Sequence, residues 1–200
     1  MISYTTKAAR PHGSEVLIMI LMFLANGFEE IEALTPLDCL RRVGETVVTV
    51  GLGGKEITGS HGITVLADTD DAHLPSDAPD MVILPGGMPG SATLDASPVV
   101  DRVLADAAAR GAYLTAICAA PMVLGKRGYL EGKHATCYPG FEEHLHGATV
   151  RRDAGVVQDG NVITAAGMGV ALDFALTLVF ELQGSDVAAK LRASLQAPEK

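Results

Sequence analysis

Cys118 stands in "LTAICAAPMVLG" (114–125), where a short apolar run meets a stretch with helical character. A sharp strand-to-helix turn there would lift the thiol out of a sheet and aim it at a cleft, as nucleophile elbows do. A helix starting at Ala119 would point unpaired amides and its positive dipole end at the sulfur, and both favour thiolate. The competing reading is a packed thiol, because free cysteine often only fills space. An addition reaction also needs donors for the oxyanion it creates. "LPGG" offers them, since Gly86 and Gly87 lack a Cβ and let backbone N–H groups approach closely. The amide of Ala119 could add a third.

The remaining chemistry lies in "NGFEEIEALTP" (26–36), where Glu29, Glu30 and Glu32 crowd the first turns of a helix. A solvated acidic face, favoured by the helix dipole, is the default expectation for such a cluster. Glu32 differs because it follows the chain into the helix leaving the first strand, near the same rim. A carboxylate beside a thiolate raises both proton affinities, so the stable arrangement shares one proton between them. Pro36 removes the donor that would bind the carbonyl of Glu32.

These residues must be held by a scaffold, and the pattern of the chain supplies one. Apolar runs at 16–25, 46–51, 61–68, 112–117 and within 80–87, where Pro and two glycines cut off a four-residue run, read as strands. Amphipathic stretches at 29–43, 97–111, 119–126, 170–184 and 185–196 read as helices. The segment 155–164 carries a hairpin signal in its Asp-Gly-Asn centre. Alternating strands and helices, with strands apolar on both faces, imply a mostly parallel sheet between helical layers. In such sheets the site lies at the carboxyl ends of the strands, which brings "PGGMPG" and "CAAP" to one rim.

Composition narrows the classes. A chain of 200 residues with 48% apolar residues and no Trp suits one domain with an aliphatic core, here expected over 16–196. The first fifteen residues read as an irregular arm or tag. A net charge of −9 with no basic stripe argues against nucleic acid. The apolar run at 16–25 is about half the length of a membrane span. Cys39, Cys118 and Cys137 form neither a disulfide framework nor a zinc pattern, which suits a reducing compartment. His144 and His146 stand two apart and do not share a helix face, so no metal site is expected from them. Cys39 and Cys137 read as packing residues.

The segments "FLANGFEEIEALTPLDCLRR", "LPGGMPG", "TAICAAP" and "ATCYPGFEE" resemble the ThiJ/PfpI superfamily, in the branch of the Parkinson-disease deglycase and its bacterial relatives. The resemblance runs from about the first strand to the last helix. It implies an α/β, flavodoxin-like three-layer sandwich with a nucleophile elbow. It further implies Cys118 as nucleophile, Glu32 as its protonated partner, and Gly86, Gly87 and Ala119 as oxyanion donors. Tyr138 and Pro139 would line the pocket, with His61 at a dimer interface nearby and Arg42 as its companion. The implied protein is a cytoplasmic homodimer needing no metal or cofactor. It would act on methylglyoxal or glyoxal and their early protein adducts, giving lactate or glycolate.

Three departures bear on that expectation. Many relatives carry His where this chain has Tyr138, the protease-like branch has His where this chain has Ala119, and "GMG" (167–169) replaces a common Gly-Pro-Gly. The second departure weighs against an intracellular peptidase or amidase. A redox sensor or chaperone-like protein working through oxidation of Cys118 is the other alternative.

Overall fold

A computed structural model describes residues 18–198. The expectation of an irregular arm at residues 1–15 lies outside the described residues. In chain order the strands are β1 (Met19–Leu24), β2 (Thr46–Gly51), β3 (Glu56–Thr58), β4 (Thr64–Leu66), β5 (Thr69–Asp70), β6 (Met81–Leu84), β7 (Tyr113–Ile117), β8 (His134–Ala135), β9 (Thr149–Val150), β10 (Val156–Asp159) and β11 (Val162–Ala165). The helices are α1 (Glu30–Arg42), α2 (Gly90–Asp95), α3 (Pro98–Ala109), α4 (Pro121–Lys126), α5 (Ala171–Gln183) and α6 (Ser185–Ser194). Single 3-10 turns sit at Glu142–His144 and Met168–Val170.

The main sheet has the order β10-β11-β7-β6-β1-β2-β5. All its pairings are parallel except that of the β10–β11 hairpin. Its inner strands follow the doubly wound order of flavodoxin-like folds, in which the chain reverses direction beside the first strand. The period of two along β1 explains why the sheet needs cover on both faces. Ile20, Met22 and Leu24 point into one core with α1, α5 and α6, while Leu21 and Phe23 point into the other with α3 and α4. The run is therefore apolar throughout, as buried parallel strands require.

Local signals set the helix ends. Ser97 caps α3, its Oγ accepting from the Val100 amide at 3.3 Å, and Pro98 occupies the first turn where its missing N–H costs nothing. Arg41 and Arg42 close α1 at the negative end of its dipole.

Three expectations need correcting, and a fourth is not met within a single chain. The segment 61–68 is not a strand of the main sheet. Only Thr64–Leu66 is extended, and it pairs with β3 in a separate antiparallel hairpin. That hairpin folds over the start of α1, where the Ser60 amide donates to the Phe28 carbonyl and the Gly27 amide to the Thr58 carbonyl, both at 2.8 Å. The next concerns the acidic cluster. Glu29, Glu30 and Glu32 are only 6%, 4% and 0% exposed, so they form no solvated face. The helix after Cys118 starts at Pro121 rather than Ala119 and runs six residues. Arg42 lies at the far end of α1 from the glutamates, exposed and paired with Asp38 at 2.5 Å. Within the chain it is not the companion of His61. That companion is Glu30, whose Oε2 lies 3.0 Å from the His61 Nδ1.

Candidate active site

Cys118 follows directly on β7 and adopts φ +64°, in the left-handed region that a side chain with a Cβ rarely enters. Holding it there costs about 1–3 kcal/mol, a strain that must be met by surrounding bonds. Two hydrogen bonds clamp the residue: its amide donates to the Ala165 carbonyl, and its own carbonyl accepts from the Tyr138 amide, both at 2.8 Å. The turn therefore ties β7, β11 and the 136–140 segment together and presents the sulfur at the rim. Of the three cysteines, Cys39 and Cys137 are buried and Cys118 alone is partly exposed.

Glu32 reaches the sulfur from the first turn of α1. Its position is built by Glu29, whose carboxylate Oε2 accepts the Glu32 amide at 2.8 Å and so caps the helix. The Glu29 amide in turn donates to the Gly86 carbonyl at 2.9 Å. The Gly86 amide donates to Glu32 Oε2 at 3.1 Å, while the Cys118 thiol and the Met168 amide face the same carboxyl. Oε1 has no well-formed partner although the side chain is fully buried. An unmatched buried oxygen beside a thiol calls for a partner that the described residues do not supply.

Gly86 is glycine because nothing larger fits. A Cβ there would stand 2.4 Å from Glu32 Oε2 and 2.5 Å from the Cys118 Cβ. Gly87 has φ +90°, and a Cβ would meet the Glu29 nitrogen at 2.4 Å. With its amide bound to Glu32, Gly86 is not placed as an oxyanion donor, a correction to the expectation above. The amides that face the sulfur are those of Gly87 and Ala119. Gly86→Ala should push the Glu32 carboxyl off its amide and cost about 1–3 kcal/mol by overpacking. Thermal denaturation checks this, and an unchanged midpoint would show that the contact is slack.

Electrostatics couple the pair. Burial pushes the Glu32 carboxyl up to about 7. Burial, together with the neighbouring Glu32 charge, pushes the Cys118 thiol up to about 12. The pair therefore keeps one proton above pH 7 and two below it. The lowered thiol affinity expected from a helix dipole is not found, because α4 is short, starts three residues later and is outweighed by burial and by Glu32.

His61 and Glu30 form a second, separate pair. Burial alone would raise Glu30, but the ring and amide of His61 and the Ile63 amide overcome it and hold the carboxyl down to about 2. The same bond raises His61 above its ordinary value. Among the described residues, Glu29, Glu30 and His61 are the group whose ligand atoms come within 4.8 Å of one another, as a metal would need. Each already has a hydrogen-bond partner within the chain. Tyr138 borders the Cys118 site, its ring 3.3 Å from the position a Cβ on Gly167 would take. Pro139 is exposed beside it.

Sequence reasoning passed over three contributors. Glu29 acts as a cap although Glu is not a favoured capping residue. The Ala165 carbonyl and the Met168 amide act through the main chain, so only the glycines of "GMG" hint at them.

A doubly wound α/β fold with a strained cysteine and a buried glutamate at its switch point defines a class of proteins, and comparison places the chain within it. It belongs to the DJ-1/PfpI family, which it matches over residues 19–181. It is 40% identical over 180 residues to the Parkinson disease protein 7 homolog of Danio rerio, covering 88% of this chain and 95% of that protein. The crystal structure of Drosophila melanogaster DJ-1beta superposes with a TM-score of 0.87 at 38% identity, covering 91% of this chain and 99% of that one. The family includes enzymes: the isonitrile hydratase of Pseudomonas putida is 33% identical over 142 residues, covering 70% of this chain and 60% of that protein. Among the described residues no helix is long and apolar enough to cross a membrane.

Proposed function

We propose that the chain is a cysteine-dependent, cofactor-independent glyoxalase or deglycase acting on methylglyoxal, glyoxal and their early adducts. The observation that carries this reading is the fully buried Glu32 carboxyl held against the Cys118 thiol, a pair that keeps one shared proton at neutral pH. Such a pair suits addition to a reactive aldehyde. As the shared proton passes from sulfur to Glu32, the thiolate attacks the aldehyde carbon and an S–C bond forms. The carbonyl π electrons move to oxygen, which faces the Gly87 and Ala119 amides and takes the Glu32 proton. The Glu32 carboxylate then removes the proton from that carbon and returns it to the neighbouring carbon through an enediol. A thioester remains, and water hydrolyses it. Methylglyoxal and water thus become lactate and a proton, with the aldehyde carbon oxidised and the ketone carbon reduced. On adducts, the C–N or C–S bond of the hemiaminal or hemithioacetal breaks first. Glu32 gives its proton to the leaving amine, guanidine or thiol and takes the hydroxyl proton as the aldehyde re-forms. That aldehyde then follows the same steps. Lactate formation by the wild type and by Cys118→Ala tests the proposal.

A second reading has its own support. Cys118 is the partly exposed cysteine, and amides surround its sulfur. Oxidation to a sulfinic acid would give those amides charged oxygens to bind, with Glu32 as proton donor. Mild peroxide should then add two oxygens to the peptide holding Cys118 before Cys39 or Cys137 changes. Equal modification of all three, read by mass spectrometry, would remove this reading. The peptidase alternative has less support, since the side chain acting on the sulfur is Glu32 and no histidine joins it among the described residues.

A further inference from the structure

Among the described residues six large apolar side chains are exposed, and they fall into two groups. Ile31, Ile63 and Leu66 belong to α1 and the β3–β4 hairpin. Met88, Tyr138 and Met168, at 50%, 47% and 47% exposure, come from three loops that have no sequence neighbourhood in common. What these three share is a main chain that runs beside the Cys118–Glu32 pair. Met88 follows Gly87, whose amide faces the sulfur. The Tyr138 amide donates to the Cys118 carbonyl at 2.8 Å. The Met168 amide faces the Glu32 carboxyl.

The Tyr138 ring and the unpartnered Glu32 Oε1 also border one space. A point one Cβ away from Gly167 lies 3.3 Å from Tyr138 Cδ2 and 3.8 Å from Oε1. The floor of the site is thus polar and reactive, whereas the loops around it carry two thioethers and an aromatic ring. Methionine is adaptable and packs well against rings, so this rim suits an apolar group of variable shape. Methylglyoxal would leave it wet.

We infer that Met88, Tyr138 and Met168 form an apolar collar that selects α-oxoaldehydes bearing an aryl or long alkyl group over methylglyoxal. The inference rests on the carbonyl chemistry proposed above and adds a substrate class to it. Phenylglyoxal is the probe: with water it gives mandelate and a proton, the aldehyde carbon being oxidised and the ketone carbon reduced.

The test has two arms, so that failure of the collar and failure of the chemistry can be told apart. In the first, kcat/KM for phenylglyoxal exceeds that for methylglyoxal by about tenfold or more, the usual worth of a filled apolar pocket. The Met88→Ser/Met168→Ser double variant brings the ratio towards one, and Met88→Leu/Met168→Leu keeps it. In the second, Cys118 is alkylated by iodoacetamide or its N-phenyl derivative, each rate normalised to glutathione. The collar favours the phenyl reagent, and the serine variant loses that preference. Alkylation that shows the preference in a wild type turning over neither glyoxal keeps the collar and removes the glyoxalase reading. Equal alkylation rates, or a phenyl preference that the serine variant retains, overturn the collar whatever the turnover.

Discussion

Cys118→Ala should reduce lactate formation from methylglyoxal by at least about 10³-fold while leaving the fold intact. The size follows from what is removed. Without sulfur no S–C bond forms, and Glu32 alone has no covalent adduct on which to move a proton. The fold persists because the clamps on residue 118 are main-chain bonds, from its amide to Ala165 and from the Tyr138 amide to its carbonyl. Alanine inherits the same φ of +64° and the same modest strain. The measurement is enzymatic detection of lactate, accompanied by far-UV circular dichroism. Undiminished lactate in the variant would remove the proposed function. Lost lactate together with lost structure would instead show that the thiol is a packing element.

Glu32→Gln should trade activity for stability, and the direction depends on pH. Burial holds the Glu32 carboxyl up at about 7 in the folded protein, against 4.5 for an unperturbed glutamate. The native state therefore binds this proton more tightly than the unfolded chain does. The resulting stabilisation is complete below about pH 4.5, declines as pH rises, and is gone once pH passes about 7. Glutamine is a permanently neutral copy of the protonated form. It should match the wild type near pH 4.5 and exceed it at pH 8 by about 3 kcal/mol, at 1.36 kcal/mol per unit. For a chain of this size that is a rise in Tm of roughly 6–12 °C. Turnover should fall by about 10²–10⁴-fold, because the amide can neither give nor take the proton. The sulfur should still be alkylated, at a lower pH than the wild type's last deprotonation near 12, because the opposing carboxylate is gone. Melting curves that stay parallel from pH 5 to 8 would show that the carboxyl is ionised and solvated in the native protein.

Both expectations turn on groups that are readable in the chain, though not on their surroundings. The fold was open to reading because its causes are local. Strands such as β1 and β2 are apolar on both faces, helices such as α3 carry Pro at the start and Gly after the end, and Asp-Gly-Asn forces the β10–β11 hairpin. Short elements escaped for the opposite reason. β3, β5 and α2 are held by contacts with distant segments, so their own three to six residues, or two in β5, carry little periodic signal.

The site divides along the same line. The sequence by itself determined that a cysteine would stand at a strand end beside a glycine pair, with a glutamate entering from the first helix. The chain order of a doubly wound sheet brings those three ends to one rim. Only the tertiary structure decided what they do to one another. The hairpin folded over α1 covers Glu30 and pairs it with His61, while the Gly86 turn and Cys118 enclose Glu32. It also shows the Gly86 amide spent on Glu32, so the donors facing sulfur are Gly87 and Ala119. Such outcomes depend on burial and on ångström-scale approach between residues 31 and 54 positions apart, and no local pattern encodes those distances.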